Sequence, residues 1–385
     1  MFGLLRQRII DTWQHAGFQR YFRNTSWMLA EKVLRIIAGI FVGAYVARYL
    51  GPEQYGILSY AGAFAGLFFG LAPMGLDTIV AKDVIKQPNE VNKIIGTTFW
   101  LKITSSILII SIILTALYFT DNSNEMKLYI FIISLSLIFT ALDPISFYFN
   151  ARVKNKVVSI CRSLQLVISS ILKIALVIYS APLIWFVLII LLDAMTLSLA
   201  YVTAYRMDGQ NWFFKSFDFS FAKKTLNQAW PYIFAGFSMT AFNKVDQIMI
   251  KEMISEEAVG LYAVAVKLSE APYFLGVILT TSLFPAIVNA HNHSIQLYKA
   301  RLVKLFTLLI YLAFMIIFSY WIFGDFVINI LFGLEYSASS EVLKIHILSL
   351  LFINLGLIRG KWAVIENQTR QHMFLQVIGL TLNII

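Results

Sequence analysis

The sequence predicts an all-α integral membrane protein with about eleven transmembrane helices. Three observations predict this fold class. Apolar residues make up 59% of the 385 residues and charged residues only 14%, against about 45–50% and about 25% in soluble domains. The mean hydropathy is +0.73. The apolar residues also form long continuous runs, each near the roughly 20 residues that a helix needs to cross a bilayer.

The runs follow one another with short polar connections between them. The predicted spans are 25–48, 56–81, 95–119, 127–149, 157–179, 182–205, 230–252, 257–288, 302–323, 343–360 and 372–385. Gly51-Pro52 predicts a tight turn between the first two. The last run is still apolar at Ile385, so we expect a truncated chain, with the last one or two helices cut short and a natural count of twelve.

Basic residues orient the spans, because cytoplasmic connections of membrane proteins carry an excess of Lys and Arg. The connections on one side hold Arg6, Arg8, Arg20, Arg23, Lys82, Lys86, Lys93, Arg152, Lys154, Lys156, Arg206, Lys215, Lys223, Lys224, Lys299, Arg301, Lys304, Arg359, Lys361 and Arg370. The opposite connections hold only Lys127 and Lys251, together with several acidic residues. This alternation predicts a cytoplasmic N-terminus. It also excludes nucleic-acid binding as the explanation of the net charge of +10, because the basic residues form no single face of a soluble domain.

A weak internal repeat divides the chain into two halves. At an offset of 204 residues, Glu53 aligns with Glu257 and Gly56 with Gly260. Both copies begin on the same side of the membrane, as in the parallel repeats of transporters. We therefore predict two six-helix lobes. Residues 1–228 form the N-terminal lobe with a cytoplasmic linker at about 206–228, and residues 229–385 form the truncated C-terminal lobe.

Ionisable side chains inside the spans are the candidate functional residues, since each costs at least about 2.5–3.5 kcal/mol at mid-bilayer. We expect three cations, Arg35, Lys173 and Lys267, to face a shared wet interior. Lys173 has no counter-ion in its own helix, and Arg162 lies on the same helical face eleven residues earlier. The acidic candidates, as counter-ions or as binders of a coupling proton or sodium ion, are Glu31, Asp77, Asp193, Asp246 and Glu270. Lys267 and Glu270 are close enough in sequence to pair instead with each other.

A wet cationic cavity predicts an anionic cargo, and phosphates bind arginine and lysine through charge-assisted hydrogen bonds. The sequence contains no catalytic triad, no phosphate-binding glycine loop and no metal-ligand spacing. We therefore expect a transporter without cofactor, metal or catalytic residues.

Several motifs carry a family resemblance. Asn24-Thr-Ser-Trp, then VARYLGPEQYG at 46–56, resembles the opening of Wzx-type polysaccharide-export proteins, while DQIMI at 246–250 and EEAVGLYAVAVKLSE at 256–270 resemble their second lobe. The second stretch is also similar to lipid II flippases, in which a cavity arginine falls at Lys267 and a first-span arginine region lies near Arg35. The resemblance implies a V-shaped exporter of the multidrug/oligosaccharidyl-lipid/polysaccharide superfamily in a bacterial inner membrane.

The resemblance further implies the cargo and partners. An O-antigen or related lipopolysaccharide unit on undecaprenyl diphosphate would be flipped to the periplasmic leaflet, with membrane lipid around the protein and a polysaccharide polymerase as a partner. A drug/cation antiporter of the same superfamily is the first alternative, although it favours an acidic cavity. An O-antigen polymerase or ligase is the second, although such enzymes carry a large outer loop. A scaffolding protein is disfavoured by the intramembrane charges.

Overall fold

The computed structural model describes residues 16–72, 76–366 and 368. The described residues form α-helices and short 3-10 turns, without a strand. Contacts divide them into two compact units. Unit 1 comprises residues up to Val42 together with Ala65–Thr240, and unit 2 comprises Gly43–Phe64 together with residues from Ala241 onward. These units are a different division from the predicted lobes, whose boundary at residue 228 stays a prediction.

The helices follow each other with short connections. In chain order they are α1 Ala16–Phe69, α2 Leu76–Lys86, α3 Val91–Tyr118, α4 Asn124–Thr140, α5 Pro144–Ala151, α6 Asn155–Ile178, α7 Leu183–Met207, α8 Phe219–Phe242, α9 Val245–Met253, α10 Glu256–Glu270, α11 Tyr273–His293, α12 Ile295–Leu331, α13 Ser339–His346 and α14 Ser349–Ile365.

Eight helical stretches of the described residues are long and apolar enough to cross a membrane. The first, Ser26–Phe69, is 44 residues long, or about 66 Å at 1.5 Å per residue, and holds the first predicted span and much of the second. Its helical conformation breaks at Gly51, whose φ of 72° and ψ of 169° lie outside the helical region. The predicted turn at Gly51-Pro52 is therefore a break within one long helix. The predicted span 372–385 lies outside the described residues.

Several predicted spans are interrupted, which corrects the expectation of continuous helices. The span predicted at 127–149 is split between α4 and α5, that at 257–288 between α10 and α11, and that at 343–360 between α13 and α14. The span predicted at 230–252 ends at Phe242 and resumes at Val245 as the short α9. Neither α8 nor α9 is among the eight membrane-spanning stretches.

Two of these breaks are built around prolines, and side chains from other helices satisfy the carbonyls that the prolines expose. Pro272 cannot donate to the carbonyl of Leu268, and the Tyr320 hydroxyl donates to that oxygen instead at 3.1 Å. At Pro144 the corresponding carbonyl belongs to Thr140, and it accepts bonds from the Asp143 backbone N–H at 3.0 Å and from Lys102 Nζ at 3.4 Å. Lys102 is 4% exposed. Non-helical backbone is tolerated at membrane depth where protein groups satisfy it in this way.

An aromatic core closes one end of unit 1, on the side predicted to be cytoplasmic. Tyr148, Tyr205 and Phe213 are each almost fully buried there. The predicted linker packs against α3, since Trp100 Nε1 donates to the Phe214 carbonyl at 2.8 Å. Gly96 leaves room for this backbone, because a Cβ at that position would clash with the Phe213 carbonyl. The linker is therefore held against α3 over residues 213–218.

Two repeat-related glycines meet inside unit 2. Gly56 of α1 and Gly260 of α10 are both buried, and their backbones touch. A Cβ on Gly56 would clash with the Glu256 carbonyl, and a Cβ on Gly260 would clash with the Pro52 carbonyl. Pro52 and Glu256 are themselves 204 residues apart, as are the two glycines. Each glycine therefore contacts the residue of the other repeat copy that corresponds to its own neighbour four positions earlier. Such reciprocal contact is the signature of a twofold relation, which places a local pseudo-twofold axis between the two glycines.

Candidate functional site

The first charged group of unit 1 lies on α1. Arg35 donates to Glu31 Oε1 through both Nε and Nη2 at 2.8 Å. The four-residue spacing places the two side chains on one helical face. Glu31 is 8% exposed, whereas the Arg35 side chain is 44% exposed. Arg35 is therefore neutralised by its own helix but still accessible to a ligand.

Arg162 of α6 belongs to the same group. Its Nε donates to the Tyr201 hydroxyl on α7 at 3.1 Å, and Tyr201 is 1% exposed. Arg162 also lies within electrostatic range of Glu31 and of Asp143 at the α4–α5 break. Two arginines from different helices thus share the field of one buried carboxylate. The sequence indicated Arg162 only through its spacing from Lys173, and it was absent from the predicted site.

Lys173 has its counter-ion on the neighbouring helix, at one of the acidic candidates. Its Nζ lies 3.5 Å from Asp193 Oδ2 on α7, and the two side chains are 30% and 26% exposed. Ser169 donates to the same carboxylate oxygen at 2.9 Å. A cation and an anion inside a membrane stabilise each other, so the pairing follows once α6 and α7 are neighbours. Lys173 lies about 16 Å along α6 from Arg162 and forms a second polar level.

In unit 2, Lys267 of α10 packs against α1. Its Nζ occupies the space that a side chain on residue 43 would fill, so Gly43 makes room for the ammonium group. Among the described residues, Lys267 forms no ion pair with Glu270, although their spacing allowed one. The Lys267 side chain is partly exposed and the Glu270 side chain is exposed. Both are therefore accessible within unit 2.

Asp246 is the central acid of unit 2. The Tyr262 hydroxyl donates a short hydrogen bond to Oδ2, whereas Oδ1 is buried without a partner in the described structure. The Tyr262 ring also meets the His346 ring edge-on at 6.0 Å between centroids. His346 Nδ1 lies 2.7 Å from Ser269 Oγ. A carboxylate with one vacant acceptor can take up a proton or a small cation.

The remaining predicted residue is Asp77, which lies in α2; its side chain lies outside the described residues. No cluster of three or more His, Cys, Asp or Glu side chains that could hold a metal occurs in the described part of the chain. Glu31, Arg35, Lys173 and Asp193 belong to unit 1, and Lys267, Asp246 and Glu270 belong to unit 2.

A polar cluster at the ends of the membrane spans ties α5, the start of α6 and the end of α7 together. Asp208 accepts from the Tyr148 hydroxyl at 2.6 Å and from Lys154 Nζ at 2.5 Å. Arg152 lies over the Tyr148 ring, 4.6 Å from its centroid. Burial opposes ionisation of Asp208, but the hydrogen bonds from Lys154 and Tyr148 outweigh it and hold the pKa of Asp208 below its ordinary value. This cluster is a structural anchor rather than part of the charged groups within the membrane.

Solved structures with this fold are membrane transporters. The chain is similar to a multidrug resistance MATE family transporter of the MOP superfamily in its inward-facing conformation, with a TM-score of 0.68, 14% identity, and coverage of 90% of this chain and 84% of that one. An outward-facing conformation of such a transporter gives a TM-score of 0.55, 14% identity, and coverage of 93% and 83%. The eukaryotic MATE transporter AtDTX14 gives 0.50 at 12% identity, with coverage of 94% and 93%. These similarities confirm the predicted fold class of an all-α, multi-pass membrane protein.

The family is shown by sequence. A search of curated proteins finds no significant match. A family model described as "Polysaccharide biosynthesis protein" matches residues 21–291, which is more than half of the chain and includes the charged groups on α1, α6, α7 and α10. The chain therefore belongs to the polysaccharide biosynthesis protein family.

Proposed function

We propose that this protein is a flippase that moves an oligosaccharide linked to undecaprenyl diphosphate from the cytoplasmic to the periplasmic leaflet of a bacterial inner membrane. The family match over residues 21–291 carries the proposal, because it connects a transporter fold with polysaccharide biosynthesis. The cargo would be an O-antigen or related lipopolysaccharide unit. A polymerase acting on the delivered unit would be the partner, and the N-terminus would be cytoplasmic.

The cations within the spans support an anionic cargo. Arg35, Lys173 and Lys267 would each bind the diphosphate at a different stage of transport, and each is partly exposed. Lys173 must loosen its 3.5 Å contact with Asp193 to do so. A pair this long, between partly exposed groups, is weak and can exchange its anion for a phosphate. No bond is made or broken in the transport cycle, so the chemistry is recognition and release.

The acids would supply coupling or charge balance. Asp246 is the strongest candidate for a coupling proton or sodium ion because its Oδ1 has no partner among the described residues. Glu270 lies within electrostatic range of Asp246 and Lys244. Glu31 and Asp193 would act as counter-ions, since both already pair with cations. Asp77 stays a candidate on its position in α2.

Reconstitution tests the proposal. The purified full chain is placed in vesicles with undecaprenyl-diphosphate-linked N-acetylglucosamine carrying a dithionite-sensitive fluorophore on the sugar. We expect dithionite to bleach the inner-leaflet pool as well as the outer one, and Lys173→Ala and Lys267→Ala each to slow that second phase. Lys215→Ala, in the exposed linker, is the matched control. An inner pool that stays protected in vesicles with folded protein would contradict the proposal.

A drug/cation antiporter is the second candidate, favoured by Asp246 with its vacant oxygen. It predicts that the same vesicles take up ethidium under a proton gradient and that Asp246→Asn abolishes this uptake. Ethidium transport without any movement of the labelled sugar lipid would establish the antiporter in place of the flippase.

A further inference from the structure

Arg162 is an arginine inside a membrane span whose guanidinium is held at one end only. Its Nε donates to the buried hydroxyl of Tyr201 at 3.1 Å. Its two Nη groups have no hydrogen-bond partner among the described residues. The side chain is only partly buried, so those groups are accessible. An arginine fixed at Nε presents its Nη pair as a rigid fork of the kind that matches two phosphate oxygens.

The surroundings of Arg162 supply a replaceable anion. Glu31 is bonded by Arg35 through Nε and Nη2 and lies within electrostatic range of Arg162. The Glu31 carboxylate thus marks a position at which both arginines would stabilise the negative charge of a bound phosphate. A diphosphate carries more charge than the carboxylate and offers more acceptor oxygens. It can therefore replace Glu31 as the anion that both guanidinium groups bind.

Arg162 differs from the other cations of unit 1 in this respect. Lys102 is buried and donates to the Thr140 carbonyl at 3.4 Å, which occupies it in closing a helix break. Lys173 is paired with Asp193 and is a point charge without fork geometry. A guanidinium forms two parallel hydrogen bonds to the oxygens of one phosphate, so two arginines, Arg35 and Arg162, match the two adjacent phosphates of a diphosphate.

We propose that Arg162, positioned by Tyr201 and next to the Arg35–Glu31 pair, binds the diphosphate of the cargo and makes the site selective for diphosphate over monophosphate lipids. The proposal rests on the proposed function and assigns to it a residue and a selectivity. Arg35 and Arg162 then form a two-arginine clamp contributed by α1 and α6. Tyr201 is a positioning residue that acts through Arg162.

Binding of short isoprenoid phosphates to the purified full chain in detergent tests this assignment. The probes are geranylgeranyl diphosphate and geranylgeranyl monophosphate, followed by intrinsic fluorescence. We expect wild type to prefer the diphosphate, and Arg162→Lys to lose about tenfold of the diphosphate affinity, the worth of one charge-assisted hydrogen bond, with little change for the monophosphate. Arg152→Lys is the matched control, because Arg152 packs on Tyr148 outside this group, and it should keep the wild-type preference.

Four outcomes decide between the explanations. An unchanged preference in folded Arg162→Lys overturns the assignment and leaves the flippase proposal standing. Equal loss of both ligands together with a lower melting temperature indicates a structural role and also overturns it. If the wild-type protein binds neither probe, the result contradicts both the proposed cargo class and the role assigned to Arg162. If Arg162→Lys does not fold, Tyr201→Phe, which frees the guanidinium, should lower the diphosphate preference, and an unchanged preference there overturns the proposal.

Discussion

At the scale of single residues, the intramembrane charges are organised as pairs and shared carboxylates. Glu31 is the most buried of the acids that bond a cation in unit 1. It offsets the charge of Arg35 and lies in the field of Arg162. A site that binds an anion must nevertheless keep its cations available. The Glu31 carboxylate therefore stabilises the protein without cargo but lowers the affinity of the site for the cargo.

We therefore expect Glu31→Gln to lower the stability of the protein and to raise its affinity for the diphosphate. Loss of the carboxylate leaves two guanidinium groups less compensated, which we expect to cost roughly 1–3 kcal/mol of stability, less than a fully buried pair because Arg35 is accessible. The same loss removes a competitor of the phosphates and should tighten geranylgeranyl diphosphate binding roughly tenfold. Melting in detergent and ligand titration measure the two effects.

The matched control is Glu53→Gln, which removes the same charge from an exposed position of the same helix and should change neither quantity. Weaker diphosphate binding by folded Glu31→Gln would show that Glu31 supports the bound cargo instead of competing with it.

The charges could be found from the sequence, but their partners could not. The eleven-residue spacing correctly placed Arg162 and Lys173 on one face of α6. The groups that hold them, Tyr201 and Asp193, are eight residues apart on α7 and meet α6 only through tertiary packing. Periodicity within one helix carries no information on which side chain of the next helix stands opposite, so the sequence could offer Asp193 only as one of several candidate counter-ions.

At the scale of helices, the backbones of α1 and α10 come into contact at Gly56 and Gly260 in unit 2. Small residues let membrane helices come into backbone contact and gain van der Waals packing. Here the contact is reciprocal, since the Cβ position of each glycine is filled by a carbonyl of the other helix. A methyl group on either side must push the helices apart.

Gly56→Ala and Gly260→Ala should each destabilise the protein by about 1–3 kcal/mol through overpacking. Gly62→Ala is the control on the same helix, because a Cβ there meets nothing within 4 Å, and it should be neutral or slightly stabilising. The measurement is the fraction of protein that stays monodisperse on size-exclusion chromatography after heating. Equal stability of the Gly56 and Gly62 variants would show that the crossing is not tightly packed.

The helix breaks are the part of the secondary structure that the sequence did not predict. The apolar runs identified most of the membrane-spanning stretches, because length and hydropathy alone decide them. The interruptions at Pro144 and Pro272 depend on whether another helix can satisfy the exposed carbonyls. Tyr320 does so at Pro272 from 52 residues away in sequence, and Lys102 adds a bond at Pro144 from 38 residues away. No local pattern reveals such partners.

At the scale of the whole molecule, the distribution of basic residues predicts the orientation on which the proposed direction of transport depends. Connections alternate between basic and acidic along the chain, as expected when cytoplasmic loops retain Lys and Arg. The structure provides exposed positions of both classes. Tyr179 ends the predicted span 157–179 on the side expected to be periplasmic, and Asp121 lies in a connection predicted to be periplasmic. Lys156 and Asn211 lie in regions predicted to be cytoplasmic, and all four residues are exposed.

Cysteine labelling in intact cells tests the orientation. Cys161 is the single cysteine and is buried, so Cys161→Ala provides a background for one new cysteine at each position. A membrane-impermeant maleimide should label Tyr179→Cys and Asp121→Cys from outside. Lys156→Cys and Asn211→Cys should react only after the membrane is opened, because the basic side is expected to face the cytoplasm, where lipid-linked sugars are assembled. The reverse labelling pattern would show that the protein has the opposite orientation, with the basic connections of unit 1 outside. The proposed export would then be import.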